Sequence, residues 1–309
     1  MGENRRSVKI SDMPPGLQLL TALLCVVVVF VVAYPLMLLA GWLAGVDLQA
    51  LNDAIGGTGA NMWSLKYMQL AQHLSLFILP VVVWSALSGE GVAGYTGLNL
   101  APGRDHIVLV IMIALLLIPV NSYTSYLNVQ LKLPEWLSAT EEWMQHKEEQ
   151  GEVLTSLLIR SETIASLLMN LLVLALIPAI GEELFFRGML QKLLKAIIGR
   201  PHLTVVITAI IFSALHFQFY GFLPRLILGI VYGYLFLWSR SVWLPALAHF
   251  LNNAMPVVLS FFYGWDAVSG TSLQLAGERP LFPVVSFIAL VVLLIYAARV
   301  LPAERREEA

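Results

Sequence analysis

Glu182 and Glu183 stand side by side, with Arg187 one helical turn further on, inside a stretch otherwise fit for lipid. The run from Thr163 to Gly181 carries no charge, and Leu184 to Phe186 are apolar again. An ionisable group at bilayer depth costs roughly 2.5–3.5 kcal/mol on insertion scales, so three kept together should be in use. On a helix, residues four apart nearly share a face. Glu183 and Arg187 are therefore expected to stack as an ion pair, with the glutamate N-terminal, which is the better order. Glu182 points elsewhere and is left without that partner, free to accept a proton. The spacing thus separates a structural carboxylate from a chemical one.

The histidines supply the complementary groups. His216 closes the segment Phe212-Ser213-Ala214-Leu215-His216, and His249 opens His249-Phe250-Leu251-Asn252-Asn253. His249 and Asn253 are four apart and share a helix face, whereas Asn252 is turned away. His73 lies alone in another apolar stretch and reads as structural or pore-lining. A glutamate, two histidines and an asparagine meeting in one buried wet pocket have a use in hydrolysis. Glu182 and His216 can polarise a water for attack on a peptide carbonyl, while His249 and Asn253 donate to the oxyanion that develops. Alternatively, Glu182, His216 and His249 can ligate zinc, leaving a position open for water. The residues alone leave both routes open, although the His-Glu-x-x-His order of common zinc hydrolases is absent.

These groups can meet only if membrane helices carry them. Hydrophobic residues make up 58% of the 309 and charged residues 12%, against roughly 25% charged in ordinary soluble domains. The composition is that of an all-α, polytopic integral membrane bundle. A helix needs about 20 apolar residues to cross. About eight candidate spans follow, at 17–45, 67–88, 106–124, 163–190, 203–219, 222–238, 242–262 and 281–300. The fourth and fifth form a hairpin turning at Gly199-Arg200-Pro201. At roughly 1.5 Å per residue, Glu182 and His216 both lie about 25 Å from that turn, so they sit at one depth. Pro178 can kink the long fourth span just before the glutamates.

Three regions are expected: 1–160, with three spans and an acidic outer loop; 161–262, the catalytic core; and 263–309, a last span and tail. The loop at about 125–161 is rich in glutamate against Lys132, Lys147 and Arg160. Trp136 and Trp143 recur in it at helical spacing, as in an amphipathic helix lying at the outer interface or gating substrate. Arg225 is expected to snorkel to the same interface. With the N-terminus inside, the cytoplasmic segments hold Arg5, Arg6, Lys9, Arg104, Lys192, Lys195, Arg200, Arg240, Arg299, Arg305 and Arg306. The other side holds Lys66, Lys132, Lys147, Arg160, Arg225 and Arg279. That bias places both termini of a multi-pass plasma-membrane protein in the cytoplasm. The single Cys25 excludes internal disulfides. A net charge of −2 offers nothing to nucleic acid.

In order on successive spans, Glu182-Glu183-x-x-x-Arg187, Phe212-x-x-x-His216 and His249-x-x-x-Asn253 resemble the motifs of the CAAX-protease and bacteriocin-processing family of intramembrane endopeptidases. The three together cover about 180–255. The resemblance implies a protease with Glu182 as the water-activating residue and His216 as its partner. It also implies His249 and Asn253 at the transition state, with Glu183 and Arg187 supporting the site. It implies zinc as a cofactor, since the family is catalogued as metalloendopeptidases, with a metal-free glutamate mechanism as the alternative. The implied partners are a membrane-associated protein or peptide, lipidated in the eukaryotic branch, and the bilayer. A compact chain of this kind looks more like the bacterial branch, with roles in peptide maturation or bacteriocin self-immunity. The competing readings are a proton-coupled transporter, because buried Glu, His and Arg also build proton relays, and a non-catalytic membrane scaffold.

Overall fold

The computed structural model describes residues 10–57 and 61–301, and no strand occurs among them. Arg5, Arg6, Lys9, Arg305 and Arg306, counted above toward orientation, lie outside the described residues. The principal helices are α1 (Pro15–Leu43), α2 (Met62–Ser88), α3 (Arg104–Val129), α4 (Ser138–Ile159) and α5 (Ile164–Ile198). They continue as α6 (Pro201–Ala214), α7 (Phe222–Ser239), α8 (Trp243–Tyr263), α9 (Trp265–Glu278) and α10 (Leu281–Val300).

Among the described residues, seven helices are long and apolar enough to cross a bilayer, against the eight or so expected. The fifth expected span ends early: α6 has 14 residues, a rise of about 21 Å against the ~30 Å hydrocarbon core. Its last turn opens at Leu215 and Phe217 adopts a left-handed backbone (φ 52°), so the chain leaves the helix before His216. The hairpin before it forms where expected. Gly199 takes φ 69°, the conformation only glycine adopts without strain, and Pro201 starts the next helix.

Two packed groups meet at the site. In one, α3, α7, α8 and α10 bury Ile113, Leu117, Tyr232, Leu235, Leu244 and Leu290. In the other, α1, α2 and α5 bury Val81, Trp84, Phe185, Phe186 and Met189. α1 is peripheral and buries only Ala22, Val26 and Gly41, leaving the rest of its apolar surface for lipid. α6 and α7 pack closely because α7 carries Gly229 and Gly233 four apart. A Cβ on Gly229 would stand 3.0 Å from the Ala209 Cβ, and one on Gly233 2.8 Å from Val205 Cγ1. This small-residue face is how membrane helices gain contact without a hydrophobic driving force between them.

The excess length of α5 is absorbed within the helix. Its 35 residues include two π-helical stretches, Leu171–Leu176 and Leu184–Leu190, on either side of Ile177–Glu183. A third π stretch, Leu74–Ile78, interrupts α2 directly after His73. Such wide turns are rare and frequently mark functional sites. All those among the described residues flank the site below.

Candidate functional site

Three helices bring the polar groups together: α2 supplies Gln69 and His73, α5 supplies Glu182, Glu183 and Arg187, and α8 supplies His249. Glu182 and His249 are 6% and 4% exposed, while Glu183 and Arg187 are fully enclosed. The expected ion pair is formed, with Arg187 Nη1 donating to Glu183 Oε1 at 2.8 Å. Arg187 Nη2 reaches across to the Gly229 carbonyl on α7 at 3.1 Å, and one turn later Gln191 Nε2 reaches that of Gly233 at the same distance. The glycines that let α6 approach α7 thus also offer carbonyls to α5. The guanidinium lies 4.9 Å from the Phe212 ring centroid and 5.5 Å from that of Tyr232. An aromatic cage of this kind stabilises a cation withdrawn from water.

Glu183 has a second partner. His249 Nδ1 meets Glu183 Oε1 at 2.9 Å, and the imidazole stacks on Tyr232 with centroids 5.2 Å apart. A carboxylate accepts only, so Nδ1 carries the proton and Nε2 is turned toward Glu182. That nitrogen is 3.9 Å from Glu182 Oε2, beyond hydrogen-bond length. The other oxygen of Glu182 is held: Oε1 is 3.3 Å from His73 Nε2. Glu182 Oε2 and Glu183 Oε2 have no hydrogen-bond partner among the described residues.

The expectation that Glu182 stands without a partner is therefore corrected, and the partner is the histidine that sequence reasoning set aside. His73 carries no motif, and a lone histidine in an apolar span is more often packing than chemistry. One signal was available: Gln69 and His73 are four apart and share one face of their helix. Contact also requires α2 and α5 to lie close. A Cβ on Gly181 would stand 3.0 Å from Ile78 Cγ1, so the residue before Glu182 has room for little more than hydrogen.

The remaining candidates are placed less centrally. His216 sits on the turn after α6 with its side chain exposed, and its Nδ1 lies 2.8 Å from the Phe212 carbonyl. A carbonyl on Nδ1 leaves Nε2 as the available nitrogen. No hydrogen bond joins it to Glu182 among the described contacts, although the two interact through charge. Asn253 is half-buried on α8, one turn beyond His249, and makes no hydrogen bond among those described. The pocket expected to gather four side chains equally has its centre at Glu182, His249 and His73, with His216 at its rim. Among the described residues, no three His, Cys, Asp or Glu side chains are grouped to hold a metal ion.

Beside the rim lies a cavity of about 690 Å³, lined in part by Glu141, Glu148 and Glu152 of α4 and by Gln218, Tyr220 and Arg225. Its lining begins two residues after His216 but includes neither Glu182 nor His249. Burial pushes the Glu148 carboxyl above the usual carboxylate range, with the Arg225 guanidinium and a backbone contact at Tyr220 opposing. Arg225 folds onto the 218–221 turn, donating to the Gln218 carbonyl at 2.8 Å and to Gln218 Oε1 at 2.5 Å. α4 forms within the expected loop, after a short turn at Glu135–Leu137 in which Trp136 is 80% exposed, and its Trp143 lies against Phe219 at 5.3 Å. Its acidic face turns toward the cavity.

A bundle that encloses two carboxylates, an arginine and imidazoles among lipid-facing helices is an integral membrane protein with a sequestered polar centre. Residues 164–255, under a third of the chain, match the family model described as type II CAAX prenyl endopeptidase Rce1-like. No curated protein and no solved structure matches the chain.

Proposed function

We propose that the protein hydrolyses a peptide bond of a membrane-associated protein or peptide, with Glu182 as the base that activates water. The observation that carries this reading is the asymmetry of the Glu182 carboxylate. One oxygen is engaged by His73, and the other is free and faces His249 Nε2 across 3.9 Å. A single water can lie within hydrogen-bond distance of both atoms. Oε2 takes a proton from that water as it adds to the scissile carbonyl, and the proton then passes to the departing amine. The available Nε2 of His216 accepts from the same water or orients the substrate from the rim. Asn253, one turn from His249, offers its amide to the oxyanion. For His249 to donate from Nε2 as well, its ring must hold a second proton. With Glu182, Glu183 and Arg187 charged, that added charge makes the cluster neutral.

Glu183 and Arg187 act through His249: the pair fixes the ring so that Nε2 faces the reacting atoms. Zinc, the alternative, would be held by Glu182, His216 and His249 and would supply Lewis acidity. The geometry above favours the glutamate-only route. The test is cleavage of a farnesylated CAAX peptide carrying a fluorophore–quencher pair by purified protein in liposomes. Cleavage that persists at full rate after exhaustive treatment with chelators is expected. Loss with chelator and recovery with zinc would restore the metal reading, and intact peptide throughout would count against this substrate class.

We further propose that both termini face the cytoplasm. Lys192, Lys195 and Arg240 line one pocket of about 270 Å³, so the helix ends they mark lie on the same side. Lys132 and Arg225 line the acidic cavity elsewhere. In a variant whose Cys25 is replaced by alanine, a cysteine at Arg200 is expected to resist an impermeant maleimide in intact cells, and one at Glu149 to react. The reverse pattern would invert the orientation.

A further inference from the structure

We infer that His73, held by Gln69, is a positioning residue for Glu182: it engages one carboxylate oxygen and thereby dedicates the other to water. The inference rests on Glu182 being the base. It concerns a residue outside the segment 164–255 that matches the family, on a different helix.

The chemistry of the contacts fixes the tautomer. His73 Nε2 faces Glu182 Oε1 at 3.3 Å, and a carboxylate oxygen can only accept, so Nε2 must carry a hydrogen. A neutral imidazole then has a bare Nδ1. The side-chain amide of Gln69 lies 3.2 Å from Nδ1, with its nitrogen facing the ring, and supplies the donor that a bare nitrogen requires. The Gln69 main-chain carbonyl is also near, at 3.1 Å, and would suit Nδ1 only if it bore a proton. The Gln69 side chain thus offers Nδ1 the donor that suits a His73 donating to Glu182 from Nε2.

Packing makes the orientation rigid. His73 is 8% exposed, and its ring lies against Phe77 with centroids 5.5 Å apart. Phe77 in turn meets Phe185 at 5.5 Å and Phe186 at 6.0 Å, the residues that follow the glutamates on α5. A carboxylate pinned at one oxygen loses rotation about its last bond. Its second oxygen then stays aimed at His249. Orientation of this kind is worth a large factor in rate, because displacement of a reacting group by about 1 Å can cost around 10²-fold.

The experiment uses the full-length protein in liposomes with the farnesylated fluorogenic peptide, and reads kcat and KM separately. His73→Ala is expected to lower kcat by about 10–100-fold with KM within about twofold. His73→Gln, which restores an N–H at similar reach, is expected to recover most of the loss and also serves if the alanine variant misfolds. Gln69→Leu is expected to lower kcat by a smaller factor, and to add nothing in a His73→Ala background. A His73→Ala enzyme with unchanged kcat, beside an inert Glu182→Gln enzyme, would overturn this inference and leave the proposed function standing. An active Glu182→Gln enzyme would remove both. Nitrogen NMR of protein labelled at histidine gives a readout independent of turnover. His73 is expected to show a bare Nδ1 and a protonated Nε2, and the opposite tautomer would overturn the inference.

Discussion

The Glu182→Gln variant is expected to fold normally and to lose cleavage by about 10²–10⁴-fold, the range general-base catalysis contributes. Glutamine preserves shape and can still accept from His73 through its carbonyl oxygen, so the engaged half of the group is retained. The change falls on the free half, where an amide nitrogen replaces Oε2 and cannot take a proton from water. The loss should therefore appear in kcat, with KM little altered, because an interaction made only at the transition state is removed. Circular dichroism and melting temperature in detergent should match those of the parent. A variant that cleaves at the parental rate would end the assignment of this residue as base, however well the rest of the site survived.

The Arg187→Met variant should instead fail to assemble. Arg187 is fully buried and answers Glu183, the Gly229 carbonyl and three aromatic faces at once. Removing one member of a buried pair leaves the other uncompensated, at a cost of about 3–5 kcal/mol. That is a large part of the 5–15 kcal/mol by which whole domains are stable. The expected signs are a markedly lowered melting temperature and poor recovery of monodisperse protein. Adding Glu183→Gln to the same chain should return part of the stability, since the orphaned carboxylate is then neutral. Arg187→Lys should lie between, because an ammonium can meet Glu183 or Gly229 but not both in the same geometry. A fully stable Arg187→Met protein would show that the pair is not structural.

The two variants separate what the sequence made legible from what it did not. The Glu183–Arg187 pair follows from a four-residue spacing on a helix, and the turn at Gly199 follows from glycine before proline. Both signals are local, and both are found where the spacing places them. Most helix boundaries were legible for the same reason, but α2 begins at Met62 rather than 67, α3 runs to Val129 rather than 124 and α5 to Ile198 rather than 190, and in α6 fourteen residues are too few and the chain unwinds at Leu215. The partner of Glu182 was not legible, because His73 is 109 residues away and the approach of α2 to α5 depends on packing at Gly181. Nor could apolar periodicity reveal the π stretches, since a nearly uniform apolar run such as Leu171–Leu176 looks alike in either register. The retreat of His216 to the rim has a similar origin: its depth could be counted along the chain, but the unwinding that turns it outward could not.

The wide turns at Leu74–Ile78, Leu171–Leu176 and Leu184–Leu190 have one further consequence, for insertions and deletions. Each accommodates a residue more than an α-turn would, so excising one there would let the coil close to an α-turn with the faces downstream nearly unchanged. The same deletion in a regular stretch of α5 would swing everything beyond it by about 100°. Related chains should therefore differ by a single residue at these wide turns more readily than in the regular turns between them.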